Sequence, residues 1–208
     1  MTGAVGEFVR VIDLAGVFGN AVVGGIVARK HRMDPVGFIA LAIVSGLGGG
    51  LIRDTLLQHG PPVALTDYRY LTTAVAGAIV AFLAPVGDRI WQVAFAVVDA
   101  LALGCWAAAG AEKTLNVGLG WLPAVLLGTI TAVGGGALRD LTVGQIPQIF
   151  GGNTLYATCA VLASFVVVLF NYGGHAQAGT IVATCVGAAL CLLARWRGWQ
   201  LRRGLEWN

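Results

Sequence analysis

Charged side chains are scarce in this sequence. Asp, Glu, Lys and Arg make up only 11% of its 208 residues, whereas about a quarter is usual for a soluble domain. None of the four occurs between residues 141 and 194. Because 57% of the residues are hydrophobic and the mean hydropathy is +0.81, we expect a membrane protein. The net charge of +3 then reflects basic residues flanking apolar spans, so no nucleic-acid partner is predicted.

The sequence also lacks the motifs of metal sites, disulfide frameworks and common catalytic centres. Its four cysteines lie in apolar stretches and form no Cys-x-x-Cys pair, so we interpret them as packing residues. The three histidines are scattered among predicted loops. Gly-x-Ser-x-Gly, His-Glu-x-x-His and nucleotide-loop signatures are missing. We therefore expect no enzyme, no cofactor and no resident metal.

Long uncharged runs dominate what remains. A helix needs about 20 mostly apolar residues to cross the hydrocarbon core of a bilayer. Charges and turn residues divide the chain into segments of that kind, at residues 8–28, 35–52, 70–85, 90–111, 121–138, 155–170 and 176–194. The predicted fold class is an all-α membrane protein with seven transmembrane helices in a lipid bilayer.

The basic residues predict an orientation, because cytoplasmic loops carry an excess of Lys and Arg. If the loop after the first span is cytoplasmic, nine basic residues lie inside and four outside. The inner group is Arg29, Lys30, Arg32, Arg89, Arg139, Arg195, Arg197, Arg202 and Arg203, and the outer group is Arg10, Arg53, Arg69 and Lys113. We therefore predict an external N-terminus and a cytoplasmic C-terminus.

The two halves of the chain repeat each other at an offset of 86 residues. Gly48, Gly49, Gly50, Arg53 and Asp54 align with Gly134, Gly135, Gly136, Arg139 and Asp140, and Asp13, Tyr70 and Thr72 align with Asp99, Tyr156 and Thr158. We divide the chain into a three-helix repeat at 1–86, a second at 87–172, and a seventh helix with a basic tail at 173–208. An odd number of spans inverts the second repeat, and sites in inverted repeats tend to lie at the repeat interface.

The paired triple glycines are the first candidate site residues. Consecutive glycines weaken helical geometry and expose the backbone, so we expect helix kinks at Gly48–Gly50 and Gly134–Gly136 whose carbonyls face a pore. Close helix packing is the alternative, since Gly46 and Gly50 also form a small-x-x-x-small pair. Packing alone, however, leaves the Arg-Asp that follows each motif unexplained.

Charged side chains within spans form the second candidate group. They are costly in a bilayer and normally have partners or face water. The group comprises Asp13, Arg53, Asp54, Asp99, Arg139 and Asp140. Adjacent helical residues diverge by about 100°, so we predict the pairs Asp13 with Arg53 and Asp99 with Arg139 rather than neighbour pairs. Snorkelling of Arg53 and Asp54 to the interface is the alternative.

Weaker candidates are hydroxyl groups that could line a pore, although such groups also bond their own helix backbone. They are Ser45, Thr72, Thr129, Thr131 and Thr158. Glu112 and Lys113, at the end of the fourth span, are interpreted as a solvated loop edge.

The doubled Gly-Gly-Gly-x-x-Arg-Asp motif, with its plan of three spans, three spans and one, resembles the prokaryotic trimeric intracellular cation (TRIC) channels over essentially the whole chain. The resemblance implies a homotrimer in the inner membrane of a prokaryote. Each protomer would have a pore for monovalent cations, chiefly potassium with sodium, between the kinked second and fifth helices.

Two other functions remain open at this point. Family domains of this type have also been described as transporters of glycine or another small solute, and an inverted repeat suits a secondary transporter equally well. A membrane scaffold without transport is disfavoured because a scaffold has no need for charges within its spans.

Overall fold

The chain folds into helices joined by short loops. The computed structural model describes residues 3–84, 89–150 and 155–200. Its helices are α1 (Gly3–Lys30), α2 (Pro35–Leu57), α3 (Val63–Thr66), α4 (Tyr68–Leu83), α5 (Arg89–Asn116), α6 (Trp121–Thr142), α7 (Tyr156–Tyr172) and α8 (Ala176–Arg197), with a 3-10 turn at Gln148–Phe150.

Seven of these helices correspond to the predicted spans. Five of them, α1, α2, α5, α6 and α8, are long and apolar enough to cross a membrane by length and composition. The apolar helices α4 and α7 are shorter, with 16 and 17 residues, and span roughly 25 Å at the helical rise. The predicted class, an all-α membrane protein, is confirmed, and α3 is a single extra turn.

Helix α2 is longer than the span predicted from the sequence. It begins at Pro35, after Asp34 accepts a hydrogen bond from the Gly37 amide at 2.8 Å, and it ends at Gln58 in the left-handed conformation. The expected span stopped at residue 52, but the helix continues to Leu57. Its last turns therefore carry Arg53 and Asp54 as helical residues. These charges do not end the helix because protein groups surround them.

The packing order sets the position of the candidate site. Helices α1, α2 and α4 contact one another, and so do α5, α6 and α7. The two groups meet where α2 packs on α6 and α1 packs on α5, while α8 packs on α5 and α7. The predicted repeat boundary at residue 86 lies outside the described residues. The division into 1–86, 87–172 and 173–208 stays a prediction.

Small residues make these helix contacts close. Gly24 of α1 lies against Ser45 and the Leu41 carbonyl of α2, and its repeat counterpart Gly110 of α5 lies against Thr131 of α6. Three of the four cysteines are buried as packing residues, whereas Cys185 is exposed. Close approach through small residues is a usual means of helix association in a bilayer, where apolar burial provides little driving force between helices.

Candidate functional site

Helices α2 and α6 cross in antiparallel contact at the two triple glycines. A Cβ atom added to Gly49 would overlap the Thr131 carbonyl oxygen, and one added to Gly135 would overlap the Ser45 carbonyl oxygen. A Cβ on Gly134 would lie 3.1 Å from the Gly49 Cα. The middle glycines therefore let two backbones touch. We call this contact the glycine crossing.

The glycines do not interrupt their helices. Both α2 and α6 remain α-helical through the motif, and none of these six glycines has a positive φ. The helices are therefore not broken at these glycines, and the expectation that Gly48–Gly50 and Gly134–Gly136 kink them and turn carbonyls toward a pore stays a prediction. Contact between α2 and α6 holds the backbone of the middle glycines in helical geometry, which offsets its intrinsic freedom. The packing interpretation explains Gly48, Gly49, Gly134 and Gly135.

The third glycine of each motif faces open space. A Cβ on Gly50 would meet only Arg53 Nη2, at 3.9 Å, and a Cβ on Gly136 would meet only Arg139 Nη2, at 3.8 Å. Gly50 lines one cavity and Gly136 lines another. Each motif therefore has a packing side and a cavity side.

The smaller cavity, of about 220 Å³, lies beside the C-terminal end of α2. It is bounded by Asp13 of α1, Arg53 and Asp54 of α2, Tyr70 of α4 and Lys113 of α5. Thr131 and Gly49, from the glycine crossing, close its inner end. Polar side chains from five helices thus surround a space within the bilayer-spanning part of the fold.

The larger cavity, of about 440 Å³, is the counterpart in the second repeat. Its polar lining includes Asp99 of α5, Arg139 and Asp140 of α6, Tyr156 of α7 and Arg195 of α8. It lies beside the C-terminal ends of α1 and α6, whereas the smaller cavity lies beside the ends of α2 and α5. Because α2 and α6 are antiparallel, the two cavities lie on opposite sides of the glycine crossing.

The charged motif residues pair with their chain neighbours. Arg53 Nε donates to Asp54 Oδ1 at 2.7 Å, and Arg139 donates to Asp140 Oδ1 at 2.7 Å. The predicted pairs Asp13 with Arg53 and Asp99 with Arg139 each line one cavity, but neither forms one of the salt bridges seen among the described residues. Although adjacent Cβ atoms diverge, an arginine side chain is long enough to bend back to its neighbour's carboxylate.

Burial excludes the interfacial alternative for the first motif. The side chains of Arg53 and Asp54 are only 11% and 3% exposed, so they do not snorkel to the surface. Asp54 also accepts from the Val63 amide at 3.0 Å and from Lys113 Nζ at 2.8 Å. Three donors therefore satisfy one buried carboxylate, as a charge in an apolar surrounding requires.

Asp13 and Asp99 have tyrosine partners instead. The Tyr70 hydroxyl donates to Asp13, and the Tyr156 hydroxyl donates to Asp99 Oδ1 at 2.8 Å. Trp106 Nε1 of α5 donates to Asp13 at 2.7 Å, which ties the second helix group to the first. The tyrosines were missed as site residues. The signal that could have found them is their alignment with each other in the repeat.

Glu112 and Lys113 are not a solvated loop edge. Lys113 bonds Asp54 inside the smaller cavity, and Glu112 accepts from Thr180 Oγ1 of α8 at 2.8 Å. Helix α5 extends to Asn116, beyond the predicted end at residue 111, so both side chains lie on a packed helix. The sequence carried no signal for this, because Lys113 aligns with Val27 in the repeat.

The hydroxyl candidates separate into two groups. Thr131 lines the smaller cavity while it donates to the Leu127 carbonyl at 2.6 Å. Thr72 and Thr129 bond carbonyls of their own helices, and Ser45 is buried against Gly24. Neither Ser45, Thr72, Thr129 nor Thr158 lines either of the two cavities described above.

The hydrogen bond from Tyr156 to Asp99 gives a stability prediction. Tyr156→Phe is expected to lower the free energy of unfolding by about 1.5–3 kcal/mol, because it removes a donor from a largely buried carboxylate. Thermal unfolding in detergent measures the change. Tyr172→Phe is the control, since Tyr172 ends the same helix with its side chain 69% exposed. Equal effects of the two substitutions would contradict the assigned bond.

Comparison with known proteins identifies relatives of the whole chain. The family described as glycine transporter matches twice, at residues 10–85 and 96–172. A UPF0126 membrane protein of Deinococcus radiodurans is 35% identical over 94% of this chain and 89% of its own. The UPF0126 inner membrane protein YadS of Escherichia coli is 34% identical over 88% of each chain.

Solved structures that match this fold include channels of the type that the paired motif resembles. A TRIC cation channel is 32% identical over 96% of this chain and 98% of its own, with a TM-score of 0.89. The TRIC orthologue of Rhodobacter sphaeroides is 31% identical over 92% and 96%, with a TM-score of 0.78. The resemblance inferred from the sequence is thereby confirmed. The chain belongs to the glycine transporter family of membrane proteins, and its fold is that of the prokaryotic trimeric intracellular cation channel family.

Proposed function

We propose that this protein is a cation channel with one conduction path in each protomer. The observation that carries the proposal is the pair of charge-lined cavities on opposite sides of the glycine crossing. Each cavity is lined by carboxylates, and only the contact between α2 and α6 separates one cavity from the other. The likeness to solved TRIC cation channels supports the same class of function.

The path runs between α2 and α6. In the described conformation, Gly49 and Gly135 hold the two helices in backbone contact, so the cavities are separate. Conduction therefore requires these helices to move apart at the glycine crossing. Glycine suits such a contact because it leaves no side chain in the gap when the helices separate.

The permeant ions that we propose are potassium and sodium. A monovalent cation loses its water more readily than a divalent one, and carboxylates such as Asp13 and Asp99 would attract it into the cavities. We further propose a homotrimer in the inner membrane, with the N-terminus outside and the C-terminus in the cytoplasm. The description of the Escherichia coli relative as an inner membrane protein supports the location.

Planar bilayers test the proposal directly. Purified protein is expected to give discrete current steps whose reversal potential in a KCl gradient follows potassium rather than chloride. Native mass spectrometry in detergent should show three chains in the same preparation. Trimers that carry no cation-selective current would overturn the proposal.

A glycine transporter is the second candidate. It is favoured by the mixed lining of each cavity, since an acid and a base together can bind the ammonium and carboxylate of a zwitterion. Asp99 and Arg139 of the larger cavity show such a combination. Liposomes would then take up labelled glycine with saturation and without discrete conductance. Cation-selective steps without glycine uptake would exclude this candidate.

A further inference from the structure

Helix α8 contributes a positive charge to the larger cavity. Arg195, in the last turn of α8, donates to Asp99 Oδ2 at 3.4 Å and lines the cavity. Its side chain is 44% exposed, so water and ions can reach the guanidinium. The matches to the family end at residue 172, before α8 begins. Arg195 therefore comes from the part of the chain that follows the repeat.

This charge makes the two cavities unequal. Among the described residues, the smaller cavity has the acids Asp13 and Asp54 and the bases Arg53 and Lys113. The larger cavity has the acids Asp99 and Asp140 and the bases Lys30, Arg139 and Arg195, besides His31. The smaller cavity is balanced in formal charge, and the larger carries an excess positive charge. Without Arg195 the larger cavity would be balanced too.

The contact of Arg195 with Asp99 differs from the other charge pairs. Arg53 with Asp54 and Arg139 with Asp140 are short pairs with side chains no more than 11% exposed. Asp99 already has a 2.8 Å bond from Tyr156, so Arg195 is a second and longer partner. A single 3.4 Å contact on an accessible side chain contributes little to stability. Its electrostatic effect on the cavity does not require a strong bond.

We propose that Arg195 determines how readily cations occupy the larger cavity, and that it thereby limits conductance and makes the current asymmetric between the two directions. The proposal rests on the function proposed above. A positive charge at one mouth repels incoming cations there, while the other mouth is neutral. Cation current should therefore pass more easily when it starts from the smaller cavity.

Single-channel recording of Arg195→Gln tests this proposal. At about 10 mM KCl, where charges act over about 30 Å, the conductance is expected to rise about threefold and the rectification ratio to approach one. At about 1 M KCl, where the screening length is about 3 Å, the variant should match the wild type. Arg195→Lys keeps the charge and should retain wild-type rectification.

Arg197→Gln is the matched control. Arg197 ends the same helix and carries the same charge, but its guanidinium lies over the Trp196 ring at 5.1 Å and it lines neither described cavity. At low salt its effect on conductance should be much smaller than that of Arg195→Gln, because the charge of Arg197 does not line the cavity and the surrounding water weakens its field there. Equal effects of Arg195→Gln and Arg197→Gln at low salt would overturn the proposal.

A titratable variant covers the case in which Arg195→Gln does not fold. Arg195→His should conduct like the wild type at pH 5, where the imidazole is charged, and with raised conductance at pH 8, where it is neutral. Arg197→His, measured in parallel, corrects for any pH response that does not depend on position 195. An identical pH response of the two variants would also overturn the proposal. A wild type without current would instead refute the channel function.

Discussion

Gly49→Ala is expected to destabilise the protein by about 3 kcal/mol and to disrupt conduction. The added methyl group would overlap the Thr131 carbonyl oxygen. The nearest atoms all belong to the backbone of Thr131 and Gly135, so no flexible side chain can move away. Overpacking of a tight contact costs about 1–3 kcal/mol and occasionally more. Gly135→Ala should behave alike, because its methyl group would overlap the Ser45 carbonyl oxygen. Thermal unfolding in detergent and bilayer recording measure the two effects.

Gly50→Ala is the matched control for this experiment. A methyl group there would have only Arg53 Nη2 nearby, at 3.9 Å. Alanine has a higher helix propensity than glycine, so the variant should be unchanged or up to about 1 kcal/mol more stable. A loss of stability at Gly50 that equals the loss at Gly49 would show that glycine flexibility, and not contact across the crossing, is what the motif requires.

Asp54→Asn is expected to lower the free energy of unfolding by about 3–5 kcal/mol. The substitution keeps the shape of the side chain but removes the buried negative charge that Arg53 and Lys113 both contact. Removal of one partner from a buried ion pair is strongly destabilising for this reason. Reversible unfolding in mixed detergent and denaturant gives the value.

Two further variants calibrate that result. Lys113→Met should cost only about 1 kcal/mol, because Asp54 keeps Arg53 and the Val63 amide and the lysine is partly exposed. Asp67→Asn removes a carboxylate outside the bilayer, where the Arg69 amide and Arg10 hold the pKa of Asp67 below its ordinary value. It should change unfolding far less than Asp54→Asn does, since the carboxylate is partly exposed and asparagine also caps α4. If Asp67→Asn were as damaging as Asp54→Asn, burial would not explain the effect.

The fold was largely predictable because hydropathy and the repeat are strong signals. Uncharged runs locate the membrane helices, and the offset of 86 residues aligned residues that occupy equivalent places, such as Tyr70 and Tyr156. Helix ends were less predictable. A span was ended where charges begin, yet α2 continues through Arg53 and Asp54 because the partners of these charges come from elsewhere in the chain.

The site was predicted in its residues but not in its contacts. The paired motif does lie at the junction of the two helix groups, yet the partners of each charge depend on side-chain length and on helices far away in sequence. Lys113 is 59 residues from Asp54, and Arg195 is 96 residues from Asp99. A repeat cannot indicate either residue, because Lys113 has no basic counterpart and Arg195 follows the second copy.

The glycine crossing has the geometry of an isologous interface within a single chain. Gly49 receives the Thr131 carbonyl of the other helix, while Gly135 receives the Ser45 carbonyl, and residues 45 and 131 are themselves equivalent in the repeat. In a two-fold homodimer, one patch meets a second copy of itself in this reciprocal way. A substitution in one copy therefore changes half of the contact, whereas the same change in a homodimer of single repeats would change both halves at once. Because the two copies are joined in one chain, equivalent residues on the two sides of the membrane can differ from each other.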